Sequence, residues 1–226
     1  MKRVFKVLAV VLALVLVAAG IIYASYSLKL KKVEAPADES LKPLYSGDID
    51  VSQALEKLKN NYDGKAEILG GVNTAEMVAA ITFDGMLDKE SAQKITALLD
   101  AYGAPATFFF PAIKSAEEPD GIKTVFDAGY DVGNYTLSAK EKMQELSSEE
   151  LVEDFSRAGS ILKQITGEAP SILKCNRTEY TDELLNAAGA SGFNYVVEST
   201  YFLNEKSFRS KENAKAFVKN LKSGAV

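Results

Sequence analysis

The tightest constraint on the fold is an alternation that starts near Met77 and continues to the last residues. Val78 to Phe83 is a short, nearly continuous apolar run, the pattern of a strand buried on both faces. Glu90 to Tyr102 then carries Ala92, Ile95, Leu98 and Leu99 at helical spacing and stops at Gly103. The cycle repeats. Strands are predicted at Ala106–Phe110, Tyr130–Gly133, Ser171–Lys174 and Tyr195–Glu198. Helices are predicted at Gly121–Ala128, from Ser147 to about Thr166, at Thr181–Ala190 and at Lys211–Leu221. Ser147 followed by Glu149 and Glu150 is a helix start, because a serine cap and early acids suit the N-terminal dipole. Strands alternating with helices imply a parallel sheet with right-handed crossovers.

The N-terminal part is different. No residue from Val7 to Leu28 is charged, and a helix of that length crosses a bilayer core of roughly 30 Å. Ala18-Ala19-Gly20 and Ala24-Ser25 are weak cleavage sites, so the stretch reads as an uncleaved signal anchor. Residues 1–6 form a short tail and residues 29–50 a linker carrying Pro36, Pro43 and Gly47. Residues 51–76 extend the domain at its N-terminus, with helical spacing at Val51, Ala54, Leu55 and Leu58 and turn-rich sequence from Asn61 to Gly71. Residues 77–226 form the domain proper. The short tail and large following domain place that domain on the extracytoplasmic side of a single-pass membrane protein.

Charge narrows the partners. The first 32 residues hold six basic side chains and no acid, and the chain carries −5, so the remainder carries −11. An acidic domain disfavours nucleic acid, since binding phosphates by counterion release needs clustered Lys and Arg. Cys175 is the single cysteine, which excludes an intrachain disulfide.

In parallel α/β barrels the loops after the strands converge on one face and carry the chemistry. Here those positions hold Ile81-Thr82-Phe83-Asp84-Gly85, then Gly103-Ala104-Pro105-Ala106-Thr107-Phe108-Phe109, then Gly129 to Ala139. Leu146 to Leu151 and Ile165 to Pro170 frame the long helix. In order and spacing these segments resemble the polysaccharide deacetylase family, the NodB-homology or carbohydrate esterase family 4 domain. The resemblance implies a distorted (β/α) barrel and removal of acetyl groups from amino-sugar polymers with a divalent metal. It also implies a first motif Thr-Phe-Asp-Asp-Gly, a second motif His-Thr/Ser-x-x-His and a third motif close to Arg-x-Pro-Tyr-Gly.

The chain departs from that pattern wherever the metal would bind. It contains no histidine. Asp84 matches the general base, and Gly85 stands where the metal-binding Asp would be, unless one residue is deleted and Asp84 serves both roles. Tyr135 and Ala139 replace the two histidines of the second motif. Lys174, Cys175 and Arg177 fall in the third-motif stretch, which lacks its prolines. A late Leu-x-His strand has no counterpart, and Gly224-Ala225-Val226 resembles its start. Gly and Ala supply no metal ligand. Without a Lewis acid worth several kcal/mol, rates drop about a thousandfold or more.

The expectation is therefore an inactive deacetylase-like protein with no metal and no cofactor, in which Asp84 is a remnant. Its expected partners are cell-wall or envelope polysaccharide and, through the N-terminal helix, the membrane. Three alternatives stay open: an active deacetylase using an unrecognised site, a cysteine-based activity in which Lys174 or Arg177 lowers the Cys175 pKa, and a remnant without function. An oxygen-ligand site rebuilt from Asp84, Asp131 and Glu179 stands on the same footing as the cysteine-based activity. Tyr135 is expected to fill the vacated space or to stack on a sugar face. The barrel is expected to be incomplete, its open edge covered by a partner or by Tyr45–Val51.

Overall fold

The computed structural model describes residues 49–60, 64–204 and 206–226. Six parallel strands form one sheet in the order β1-β6-β5-β4-β3-β2. They are β1 (Glu67–Leu69), β2 (Thr82–Asp84), β3 (Thr107–Phe110), β4 (Asp131–Asn134), β5 (Ile172–Leu173) and β6 (Tyr195–Val197). Helix α1 (Ser52–Lys59) precedes β1; between the strands run α2 (Lys89–Tyr102), α3 (Ala112–Glu117), α4 (Asp120–Asp127), α5 (Ser148–Thr166) and α6 (Asp182–Ala190), and α7 (Lys211–Lys219) follows β6.

Local chemistry sets the helix limits. The Asp88 side chain accepts from the Ser91 N–H at the start of α2, and Gly103 ends that helix at φ 59°, a left-handed conformation that costs glycine little. Ser147 and Glu150 form a reciprocal capping box at the start of α5. Helix α3 was not foreseen, because Ala112–Glu117 is too short to show a period. Strand β1 was not foreseen either: Glu67-Ile68-Leu69 has three residues between glycine-rich flanks, and only pairing with β6 makes it a strand. The segment expected as an extension thus supplies one sheet edge.

Alternation along the strands divides the side chains between two layers. Phe83, Phe108 and Phe110 face outward, where they pack with Ala92, Ile95, Leu99, Ile122, Val125 and Ile161. Leu173 and Val196 face a second outer cluster with Leu151, Phe155 and Leu184. Phe109, Tyr135 and Val197 point inward and pack with Leu69, Ala139, Ile172 and Val226.

The two edge strands are joined by the segment at Gly224–Val226. Ala225 bridges to Gly71 beyond β1 and to Ala79 ahead of β2. The Ala80 N–H donates to the Ala225 carbonyl at 2.9 Å, and the Val72 N–H to the Gly224 carbonyl at 2.9 Å. One residue can reach both edges only because the sheet curls round. Gly224 and Ala225 thus bridge the edge expected to be open; of Tyr45–Val51, an expected cover, Tyr45–Asp48 lie outside the described residues. The stretch Val7–Leu28, expected to span a membrane, also lies outside them. Among the described residues no helix is long and apolar enough to cross one.

Candidate functional site

The site lies inside the curl, at the ends of β2, β4 and β5. Because Phe83 faces the helices and stacks on Phe108 at 4.7 Å between centroids, Thr82 and Asp84 face inward. Lys174 follows β5 and reaches across to them. Its Nζ is 3.0 Å from Thr82 Oγ1, and 2.9 and 2.7 Å from Asp84 Oδ1 and Oδ2. It also lies 5.4 Å from the centre of the Phe109 ring, within cation–π range. The Lys174 and Asp84 side chains are 7% and 12% exposed. An ion pair this deep persists only when its geometry and added hydrogen bonds offset the lost hydration, and here Thr82 supplies one such bond.

Tyr135 follows β4, and its N–H donates to the Phe110 carbonyl at 3.0 Å. The residue is 6% exposed and its ring packs with Phe109, Val197 and Ala139. Burial pushes its phenol pKa well up, and the Asp84 charge adds to the shift. It stays neutral near pH 7 and offers no phenolate. At this depth it presents no open ring face to a ligand.

The loop after Tyr135 is fixed at several points. Thr136 and Ala139 have φ of 63° and 56°, in the left-handed region. The Asn134 side chain accepts from the Thr136 N–H at 2.7 Å and donates to the Phe155 carbonyl at 3.2 Å. Thr136 Oγ1 accepts from the Ala139 N–H, and the Ala139 carbonyl accepts from Asn176 Nδ2, both at 3.0 Å. Asp154 Oδ1 on α5 accepts from the Leu137 N–H at 2.9 Å. Burial raises the Asp154 pKa to about 6, against the lowering effects of the Leu137 hydrogen bond and the Lys140 charge.

The remaining expected residues are less convergent. Gly85 has φ 114°, donates its N–H to the Phe109 carbonyl at 2.9 Å, and faces open space where a Cβ would stand. Of the three third-motif residues only Lys174 reaches the site. Cys175 packs into the outer cluster, and its N–H donates to Tyr180 Oη, which in turn donates to the Val197 carbonyl. Burial pushes its thiol pKa up and the Asp154 charge adds to that, so the expected lowering by Lys174 or Arg177 is overturned. Arg177 is exposed, has φ 42°, and pairs with Glu141 at 3.2 Å. Asp131 is exposed at the start of β4, two strands from β2 and two positions short of the Asp84 level, and Glu179 is exposed with its N–H on Gln144 Oε1. Asp84, Asp131 and Glu179 do not converge into an oxygen-ligand trio.

A divalent ion does not fit this donor set. It would meet one carboxylate already bonded through both oxygens to an ammonium, a neutral phenol, and the side chains of Ala139, Phe109 and Val197. Among the described residues no three His, Cys, Asp or Glu side chains converge.

With this geometry established, the comparisons are specific about ancestry. The polysaccharide deacetylase profile matches residues 71–196, more than half of the chain. The chain belongs to the polysaccharide deacetylase family. It is 28% identical over 127 residues to a peptidoglycan-N-acetylglucosamine deacetylase of Bacillus cereus, covering 56% of this chain and 45% of that protein. It is 23% identical over 181 residues to the peptidoglycan-N-acetylmuramic acid deacetylase PdaA of Bacillus subtilis, covering 78% of this chain and 67% of that protein. The chain thus spans less than half the length of the first relative. A family 4 carbohydrate esterase pseudoenzyme from Bacillus anthracis shares the fold at a TM-score of 0.62 and 17% identity, covering 70% of this chain and 56% of that one. A mutant of that pseudoenzyme with restored enzymatic activity matches at a TM-score of 0.63 and 16% identity, covering 78% and 71%.

Sequence reasoning missed Asp154, Asn134 and the inward role of Phe109. Asp154 lies three residues beyond Leu151, on the same side of the helix, a spacing that was the available signal, and the fold brings it under the loop. Gly133 was a usable signal, since a lone glycine inside a strand marks a close approach.

Proposed function

We propose that this chain is a non-catalytic, membrane-anchored member of its family, displayed outside the cytoplasm, where it binds cell-wall glycan or organises envelope proteins. The observation that carries this reading is the Lys174–Asp84 pair, beside a buried Tyr135 at the place where metal ligands would converge. The general-base carboxylate is held by a cation, and neither Gly85 nor Ala139 offers a donor atom. The uncharged stretch Val7–Leu28 supports the anchor, and the family's wall-directed relatives support the glycan. A fold shared with a described pseudoenzyme accommodates such a role.

The test is acetate release from acetylated peptidoglycan fragments and chitooligosaccharides by the full chain, with zinc, cobalt or nickel added, alongside retention on insoluble peptidoglycan. Background acetate with retention supports the proposal. Metal-dependent turnover that disappears in Asp84→Asn overturns it, and loss of retention removes the glycan branch.

A further inference from the structure

Charge and apolar exposure coincide at one place outside the site. Residues 206–226 hold six basic side chains and one acid, Glu212, a net of +5 in a chain of −5. Ala214, Phe217 and Val218 form the inward side of α7, and Lys211, Lys215 and Lys219 recur along an exposed flank at four-residue spacing. Past the helix, Lys222 lines a shallow hollow with Met77, Val78, Ala79, Val218 and Leu221. Met77 and Val78 are 59% and 43% exposed. Val72 is 56% exposed and stands against Gly224, so it continues the same patch. Glu76 and Glu212 are the acids beside it.

We infer that this patch docks on an anionic lipid surface, with Met77, Val78 and Val72 entering the headgroup layer and Lys215, Lys219 and Lys222 meeting lipid phosphates. Apolar side chains rimmed by lysines combine both attractions of an interfacial contact. An anionic polymer would satisfy the lysines but bury nothing against Met77 and Val78. The patch spans both sides of the seam, with Met77–Ala79 ahead of β2 and Val72 past the end of β1. The lipid contact does not rest on the proposed N-terminal anchor. Each lysine near an anionic surface multiplies binding about fivefold.

The experiment places the full chain in nanodiscs of phosphatidylcholine alone or with phosphatidylglycerol. An environment-sensitive dye is attached at Met77→Cys in a Cys175→Ser background, and spin-labelled lipid is the quencher. Quenching that appears with phosphatidylglycerol, and falls at least tenfold in Lys215→Glu/Lys219→Glu/Lys222→Glu, is the expected result. Retention in the discs with no quenching, or with equal quenching in both lipids, overturns the docking surface and leaves the anchor intact. Failure of the chain to stay in discs refutes the anchor instead. The released protein is then floated with phosphatidylglycerol vesicles, and charge-dependent flotation supports the surface while its absence overturns it.

Discussion

Phe109 occupies the space that a side chain at Gly133 would need: a Cβ added there would come within 2.4 Å of the ring's Cε1. The two are paired in register on neighbouring strands, so neither backbone can retreat without breaking the ladder. Gly133→Ala is expected to destabilise the domain by about 1–3 kcal/mol, the usual range for overpacking. Urea unfolding measures this, and adding Phe109→Leu should return part of the loss. An unchanged midpoint would mean that the ring moves aside freely.

The Lys174–Asp84 pair is expected to behave as a unit. Lys174→Met leaves a buried carboxylate alone and should cost about 3–5 kcal/mol, whereas Lys174→Met with Asp84→Leu should cost much less than the sum of the single changes. A double-mutant cycle by chemical denaturation reads the coupling. Additive single effects would show that the contact contributes nothing.

The donor set predicts that the natural chain shows no stoichiometric high-affinity site for zinc in calorimetric titration. Gly85→Asp/Tyr135→His/Ala139→His should gain one. Its affinity is reduced by strain at position 85, where a φ of 114° disfavours a residue with a side chain by about 1–3 kcal/mol. Tight zinc binding by the unaltered chain would contradict the site as described.

Asp154 gives a pH signature. Its folded pKa of about 6 lies above the unfolded value, so between roughly pH 4 and 6 the native state holds more protons than the unfolded one. Stability from this group is present in full below the unfolded pKa and is lost as pH rises through 6. Asp154→Asn keeps an acceptor for the Leu137 N–H and removes the charge. It should be neutral near pH 4 and stabilising by about 2 kcal/mol near pH 8. Parallel unfolding curves at the two pH values would disprove the burial penalty.

How much of this was legible depended on range. Capped helices such as α2 and α5 were visible because serine, acid and glycine signals sit beside the periods they bound. The central strands were visible because they are buried on both faces and read as apolar runs. Strand β1 was not, since the exposed edge residues Glu67 and Ile68 carry no such run and are ordered by β6, more than 120 residues away. At the site, the sequence showed which ligands were missing. It did not show what had taken their place, because the Lys174 reach to Asp84 spans 90 residues and depends on which way alternate side chains face. Cys175 illustrates the same point: one step along the chain from Lys174, it faces the opposite layer.

The seam at Ala225 carries a kinetic consequence. Its partners, Gly71 and Ala79, lie 154 and 146 positions earlier. Contacts of that span form late and slowly, after the entropy of closing a long loop has been met. A chain emerging N-terminus first therefore holds β1 and β2 as unzipped edges until residue 225 has emerged. During that interval each edge is a template for a neighbouring chain, and crowding at the point of emergence, rather than the stability of the finished sheet, governs how much of the protein reaches its closed form.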